Sequence, residues 1–304
     1  MSINKNKTLI TGGTGLLGKS LVDIFKKQHD IVATYVGEYS IGNENQVRYL
    51  KLDVQDFDGY KRLFEETRPK VVIHTASIGS PDYAEKNKEI TWRINVSAMD
   101  NIISLCNECG SNLVYISSNG IYDGYHAPYA ENDKAMPLNF YGMVKLEGEK
   151  LALSSRCVSA IVRPNIMYGW HHPFERSNVV TLALDKLSKN ERFMAYEDVF
   201  VKPLYVEECA RAILRIIEEE KYDTFNVAGC DRVSIYELIK KAAQIFGLDD
   251  GLVVPIKQGY LNELVPRPND TSFITDKMEN ELKIKPIGIE EGLSIMKSKR
   301  NPRC

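Results

Sequence analysis

The chain has 304 residues, with 39 Lys and Arg against 41 Asp and Glu, a formal net charge of −2. That balance gives no global attraction to nucleic acid or to an anionic membrane surface, and no apolar run approaches the roughly 18 residues a spanning helix needs. With 43% hydrophobic and 26% charged residues, the chain can bury a large core, as one α/β unit or as a main domain with a smaller one. The first residues, Met1-Ser2-Ile3-Asn4-Lys5, carry no apolar signal segment, and the six cysteines are scattered. The composition therefore reads as a soluble, reduced, cytoplasmic protein.

The first predicted strand, over 8–11, runs into Gly12-Gly13-Thr14-Gly15-Leu16-Leu17-Gly18, and an apolar-periodic segment (Leu21, Val22, Ile24, Phe25) leaves it. Gly13, Gly15 and Gly18 satisfy G-x-G-x-x-G, and Gly12, Gly15 and Gly18 satisfy G-x-x-G-x-x-G. In a strand–turn–helix context this spacing predicts a dinucleotide site. Glycines permit the sharp turn, the approach of backbone to a pyrophosphate and the close packing of helix on strand. Free amides at the helix N-terminus face the negative phosphates.

Further strands are predicted over 31–35, 71–75, 113–117 and 159–163. Between them lie helices over 15–28, 56–67, 89–109 and 139–152. The strands are apolar throughout, as expected where helices cover both faces of a parallel sheet, and the alternation predicts right-handed βαβ units. After Pro164 the pattern is mixed, with helices over 178–187 and 207–219 and a short strand over 224–227. Ser234 with Glu237 reads as a capping box for a helix to about Phe246, and a last helix is expected over 289–297. The expected fold is α/β: a Rossmann-like doubly wound parallel sheet with a smaller C-terminal α/β substrate-binding lid. The dinucleotide-binding domain is expected over 1–164, with a strand and helix returning within 200–228. The lid takes most of 165–304 and closes over the carboxyl ends of the strands.

Two further motifs carry chemistry. Tyr141 and Lys145, at i and i+4, share one helix face. An ammonium beside a phenol favours the phenolate and lowers its pKa from about 10 toward the working range, so the tyrosine can give a proton to a carbonyl oxygen. The lysine can also hold ribose hydroxyls. Ser117 and Ser118 end an apolar strand, where a hydroxyl can meet the same carbonyl oxygen.

Glycine loop, serine strand and then Y-x-x-x-K, in that order, resemble the short-chain dehydrogenase/reductase superfamily. The length, Leu52-Asp53-Val54 and Arg163-Pro164-Asn165 resemble its extended branch, which acts on nucleotide sugars. Within that branch the chain resembles the dTDP-4-dehydrorhamnose reductase group. The likeness rests on Ile116-Ser117-Ser118-Asn119-Gly120-Ile121-Tyr122-Asp123-Gly124, on the Pro137-Leu138-Asn139 lead into Tyr141, and on Arg267-Pro268-Asn269-Asp270-Thr271-Ser272-Phe273 with Thr275-Asp276-Lys277-Met278.

The resemblance implies that Ser118, Tyr141 and Lys145 are catalytic. It implies that Gly12, Gly15, Leu16 and Leu17 surround the pyrophosphate, that Asp53 and Val54 meet the adenine, and that Thr75, Ala76 and Ser77 line the cofactor. The implied reaction is hydride transfer to a nucleotide-linked 4-keto sugar, with Tyr141 as proton donor. Asn119 and Gly120 stand where that group has an acid and an aromatic, and Ile166 and Met167 replace an expected aromatic. Asn119-Gly120 lacks the carboxylate pair that sugar-nucleotide dehydratases use. The Ser-Ser-Asn run is similar to that of the regulatory beta subunit of methionine adenosyltransferase. An epimerase of the same superfamily and a non-catalytic NADP-binding regulatory subunit are the alternatives.

The second strand ends Ala33-Thr34-Tyr35-Val36-Gly37. An acid here would bind the ribose 2′-hydroxyl of NAD. Its absence favours NADP(H), with NAD(H) as the alternative. Asn119, Tyr122, Trp170, Lys202 and Arg267 are the candidate substrate residues, the two cations for the diphosphate of a sugar nucleotide, with Tyr125 and Tyr129 as further candidates to line a sugar pocket. His171 and His172 are adjacent and do not face one ligand, and Cys106 and Cys109 read as one helix face, so no metal site is expected. The expected partner is a nucleotide-sugar substrate, with neither nucleic acid nor membrane, and a homodimer is left open.

Overall fold

The computed structural model describes residues 6–261 and 263–299. The apolar strands of the first half assemble side by side: β1 (Lys7–Thr11), β2 (Asp30–Tyr35), β3 (Val47–Lys51), β4 (Val71–His74), β5 (Asn112–Ile116) and β6 (Ser159–Pro164). The helices between them are α1 (Leu16–Phe25), α2 (Phe57–Thr67), α3 (Pro81–Lys86), α4 (Lys88–Trp92), α5 (Ala98–Cys109) and α6 (Phe140–Ser154). The second half holds β7 (Met167–Tyr168), α7 (Val179–Ser188), β8 (Phe193–Tyr196), β9 (Phe200–Val201), β10 (Leu204–Tyr205), α8 (Val206–Glu218), β11 (Thr224–Val227), β12 (Val233–Ser234), α9 (Ile235–Phe246), β13 (Val253–Ile256), α10 (Asp276–Leu282) and α11 (Ile289–Ser298).

Seven strands form one sheet in the order β11-β6-β5-β4-β1-β2-β3, and every pairing in it is parallel. β11 returns from the second half of the chain to lie beside β6. Helices cover both faces of the sheet. Leu21, Phe25, Ile213 and Ile216 pack one side, from α1 and α8. Tyr60, Phe64, Met99 and Ile102 pack the other, from α2 and α5. The sheet order reverses between β1 and β4, and such a switch point opens a crevice outside the carboxyl ends of the strands. A third core cluster joins α7, α9 and α11 through Val180, Leu184, Leu238, Ile239 and Leu293.

The expected strands and most expected helices are present, with three differences. β3, Val47-Arg48-Tyr49-Leu50-Lys51, was not anticipated. It is one of the sheet's two edges, and its burial pattern is mixed rather than apolar throughout. The helix expected over 89–109 is interrupted by a π-helical turn at Arg93–Ser97. The short α3 and α10, and the lid strands of two to four residues, carried no periodic signal of their own. At α9 the capping box is complete: Glu237 N donates to Ser234 Oγ at 3.1 Å and Ser234 N donates to Glu237 Oε2 at 2.7 Å.

Candidate active site

The switch point opens into a cleft of about 1190 Å³. Gly12, Gly15, Leu16, Leu17, Asp53, Val54, Thr75, Ala76, Ser77, Ser118, Asn119, Tyr141, Lys145 and Arg267 all line it. Five candidates lie elsewhere, among them Tyr125, which is exposed, and Tyr129, which is buried. Tyr122 is fully buried, stacked on Tyr129 at 4.1 Å, with its hydroxyl donating to the Ala130 carbonyl and accepting from Arg163. Trp170 donates its indole N–H to the Met296 carbonyl at 2.7 Å and faces a separate groove beside α1 and α8. Lys202 sits near Cys230.

The glycine loop is built as its spacing demands. Gly12 has φ +67°, and a Cβ there would come within 3.0 Å of the Ala76 backbone. A Cβ on Gly18 would lie 2.1 Å from the Gly12 carbonyl oxygen, so α1 packs on the turn through a bare backbone. Gly15, the N-cap of α1, is different: a Cβ there would meet only the Gly12 carbonyl, at 3.4 Å. Gly15 and the first residues of α1, Leu16 and Leu17, line the cleft, where the unpaired amides of a helix N-terminus can meet an anion. Thr11 and Thr75 fix the neighbouring turn, Thr75 Oγ1 donating to the Thr11 carbonyl at 2.6 Å and Ala76 N to Thr11 Oγ1 at 3.2 Å.

Asn139 caps the N-terminus of α6 by accepting from Gly142 N at 3.0 Å, and Tyr141 and Lys145 follow on the cleft face. Gly120 lies between Ser118 and Tyr141: a Cβ on it would lie 3.3 Å from both Ser118 Oγ and the Tyr141 ring. Ser118 Oγ accepts from Gly120 N at 3.0 Å and donates to Asn119 Oδ1 at 3.3 Å. Asn119 Nδ2 in turn donates to Thr271 Oγ1 at 2.6 Å, tying the serine strand to the C-terminal motif. Arg267 pairs with Asp82 at 2.6 Å at the cleft.

Electrostatics around the phenol differ from the expectation. Burial raises the Tyr141 pKa, against a hydrogen bond with Ser118 and the charge of Arg176. Lys145 does not reach the phenol with a hydrogen bond. Its Nζ donates to Ser77 Oγ at 3.1 Å and to the Ile116 carbonyl at 2.9 Å, and burial brings its pKa down to about 8 against the pull of Glu149. Glu149, one turn further along α6, is held by Arg163 through two bonds of 2.8 and 2.6 Å and by Ser117 at 2.5 Å.

The sequence reading missed two cleft residues. Arg176 supplies the positive charge at Tyr141, and Glu175 beside it accepts from Thr14 Oγ1 and from the Tyr39 hydroxyl, each at 2.5 Å. Both stand in a polar loop, where a charge ordinarily points into water, and Thr14 is 161 residues away in the chain. The adjacent histidines do not converge. His171 is engaged by the His172 carbonyl and Thr181, and His172 stacks on Phe174 at 4.9 Å. Cys106 is buried and Cys109 exposed on α5. Among the described residues no helix is long and apolar enough to cross a membrane.

Comparison with known proteins extends over nearly the whole chain. The beta subunit of methionine adenosyltransferase 2 from Xenopus tropicalis is 29% identical over 289 residues, 92% of this chain and 83% of that protein. A dTDP-4-dehydrorhamnose reductase from Bacillus anthracis, solved in complex with NADP, superposes with a TM-score of 0.87 at 24% identity, over 97% of this chain and all of that one. A hypothetical dTDP-4-dehydrorhamnose reductase from Sulfolobus tokodaii gives a TM-score of 0.82 at 27% identity, over 94% of this chain and 98% of that one. The family model of the RmlD substrate binding domain matches residues 6–300, and the chain belongs to that family.

Proposed function

We propose that this protein is an NAD(P)H-dependent reductase of a nucleotide-linked 4-keto sugar. The observation that carries the reading is the meeting, in one cleft, of the open face of Gly15 with Ser118, Tyr141 and Lys145. The cleft fits a nicotinamide dinucleotide. The amides of Leu16 and Leu17 and the bare face of Gly15 receive a diphosphate, Asp53 and Val54 meet the adenine, and Thr75, Ala76 and Ser77 line the path to the nicotinamide. NADP(H) is favoured by the strand tip that lacks an acid, and the Bacillus anthracis relative is in complex with NADP; NAD(H) is the alternative. The cofactor, when bound, supplies the hydride.

The side chains do the rest. Ser118 Oγ hydrogen-bonds the keto oxygen, and Tyr141 gives that oxygen its proton. Lys145, anchored by Ser77 and Ile116, holds the ribose hydroxyls and presents its charge to the same pocket. Arg176 supports the phenolate left behind. Arg267 meets the sugar-nucleotide diphosphate by exchanging its bond with Asp82. Residues 165–304, apart from the sheet strand β11 and its helix α8, act as the substrate-binding lid.

The assay is oxidation of NADPH with a panel of nucleotide-linked 4-keto-6-deoxy sugars. Turnover with one of them supports the reading. The likeness to the methionine adenosyltransferase beta subunit favours a second reading, a regulatory subunit that binds NADP(H) without turnover. Tight NADPH binding, no oxidation with any sugar and a co-purifying protein partner would decide for it.

A further inference from the structure

A dinucleotide fold reads the adenosine ribose at the tip of its second strand, where an acid accepts from the 2′-hydroxyl of NAD and repels the 2′-phosphate of NADP. The tip of β2 in this chain, Tyr35-Val36-Gly37, has no acid. Glu38 follows, but its side chain is 95% exposed and paired with Lys51 at 3.1 Å.

An acid nevertheless reaches this corner from the far side of the cleft. Glu175 lies in the loop between β7 and α7, and its Oε1 accepts from Thr14 Oγ1 and from the Tyr39 hydroxyl. Thr14 stands in the glycine loop immediately before the N-cap of α1, and Tyr39 is four residues beyond the end of β2. The two hydroxyls also meet each other at 2.8 Å. Aromatic rings hold the arrangement: Tyr39 stacks on Tyr35 at 5.3 Å and on Phe174, next to Glu175, at 3.6 Å. The carboxylate is thereby fixed at the junction of the glycine loop and the strand tip. Both bonds go to Oε1, and Oε2 is used by neither.

Resting on the dinucleotide reading above, we propose that Glu175 is the acid that discriminates at the ribose. Its carboxylate accepts from the 2′-hydroxyl of NAD(H) and weighs against the 2′-phosphate of NADP(H), so the preference for NADP(H) left by the bare strand tip is held small. The specificity element has moved from the strand tip to a loop of the second half of the chain.

The test is titration of the full chain with NADH and with NADPH, followed by nicotinamide fluorescence, for the wild type, Glu175→Gln and Glu175→Lys. The glutamine variant is expected to bind NADPH at least fivefold more tightly while NADH binding is unchanged or weaker, and the lysine variant to extend that gain. If both cofactors tighten by the same factor, Glu175 is a latch over the loop and the selectivity proposal is overturned. An unchanged ratio overturns it too. A wild type that binds neither cofactor removes the dinucleotide reading itself, and this inference with it.

Discussion

Lys145 reaches across the cleft to Ser77, Nζ to Oγ at 3.1 Å, and to the Ile116 carbonyl at 2.9 Å, so the ammonium is anchored on the loop after β4 and the end of β5 rather than on the phenol four residues before it. Burial brings its pKa down to about 8, with Glu149 opposing. The lysine therefore carries its charge below about pH 8 and loses it above. In the proposed mechanism the charged form holds the ribose, so kcat/KM and cofactor affinity should both fall as pH rises through that value. A pH profile of the wild type against Lys145→Met checks this. The variant should be impaired throughout and lack the limb near 8.

Tyr141→Phe keeps the ring and deletes the proposed proton donor. General acid–base catalysis is worth about 10²–10⁴-fold, so kcat should drop by that factor while the Kd for NADPH changes little. Because Arg176 is the charge that lowers the phenol, Arg176→Gln should shift the pH dependence of the Tyr141 step upward and leave the tyrosine in place. Full turnover by Tyr141→Phe on an active sugar substrate would end the proposed mechanism.

The glycine loop offers a contrast between two of its members. A side chain on Gly15 has room in the protein but enters the cleft, whereas one on Gly18 lies 2.1 Å from the Gly12 carbonyl. Gly15→Val should keep the wild-type melting temperature and lose cofactor binding. Gly18→Ala should lower the melting temperature. Thermal melts beside NADPH titration separate the two outcomes.

Arg163 and Glu149 form an ion pair whose side chains are 9% and 2% exposed. Removing one partner strands the other charge in the interior, which costs about 3–5 kcal/mol. Arg163→Met should lose stability on that scale in urea unfolding. The double change Arg163→Met with Glu149→Leu should recover part of the loss, because neither member of the pair is then left buried without the other.

The glycine loop and the central strands could be read because each rests on a local pattern. β1, β4 and β5 are apolar runs buried on both faces, and Ser234 with Glu237 is a complete cap within four residues. The losses share a different cause. β3 is an edge strand whose run is broken by Arg48 and Lys51. The turn at Arg93–Ser97 shifts the helical period and leaves no mark in composition. Tyr122 resembled a pocket residue by position, yet Arg163 draws its hydroxyl into the interior. Glu175 and Arg176 gain their roles only when the loop after β7 is laid against Thr14 and Tyr141, a relation that tertiary structure alone creates.

The place of β11 beside β6 also sets a condition on how the chain is made. β6 ends at Pro164 and its outer neighbour begins at Thr224, so sixty residues must leave the ribosome before that edge is covered. At roughly 5–20 residues per second, the nascent sheet carries an open, apolar margin of Ala160, Ile161 and Val162 for roughly 3–12 seconds. Such a margin pairs readily with other chains. Truncation before Thr224 should yield aggregate even though the glycine loop and the Tyr141 helix are complete. Changes within 165–223 that delay the docking of β11 should lower the yield of protein whose finished fold they barely disturb.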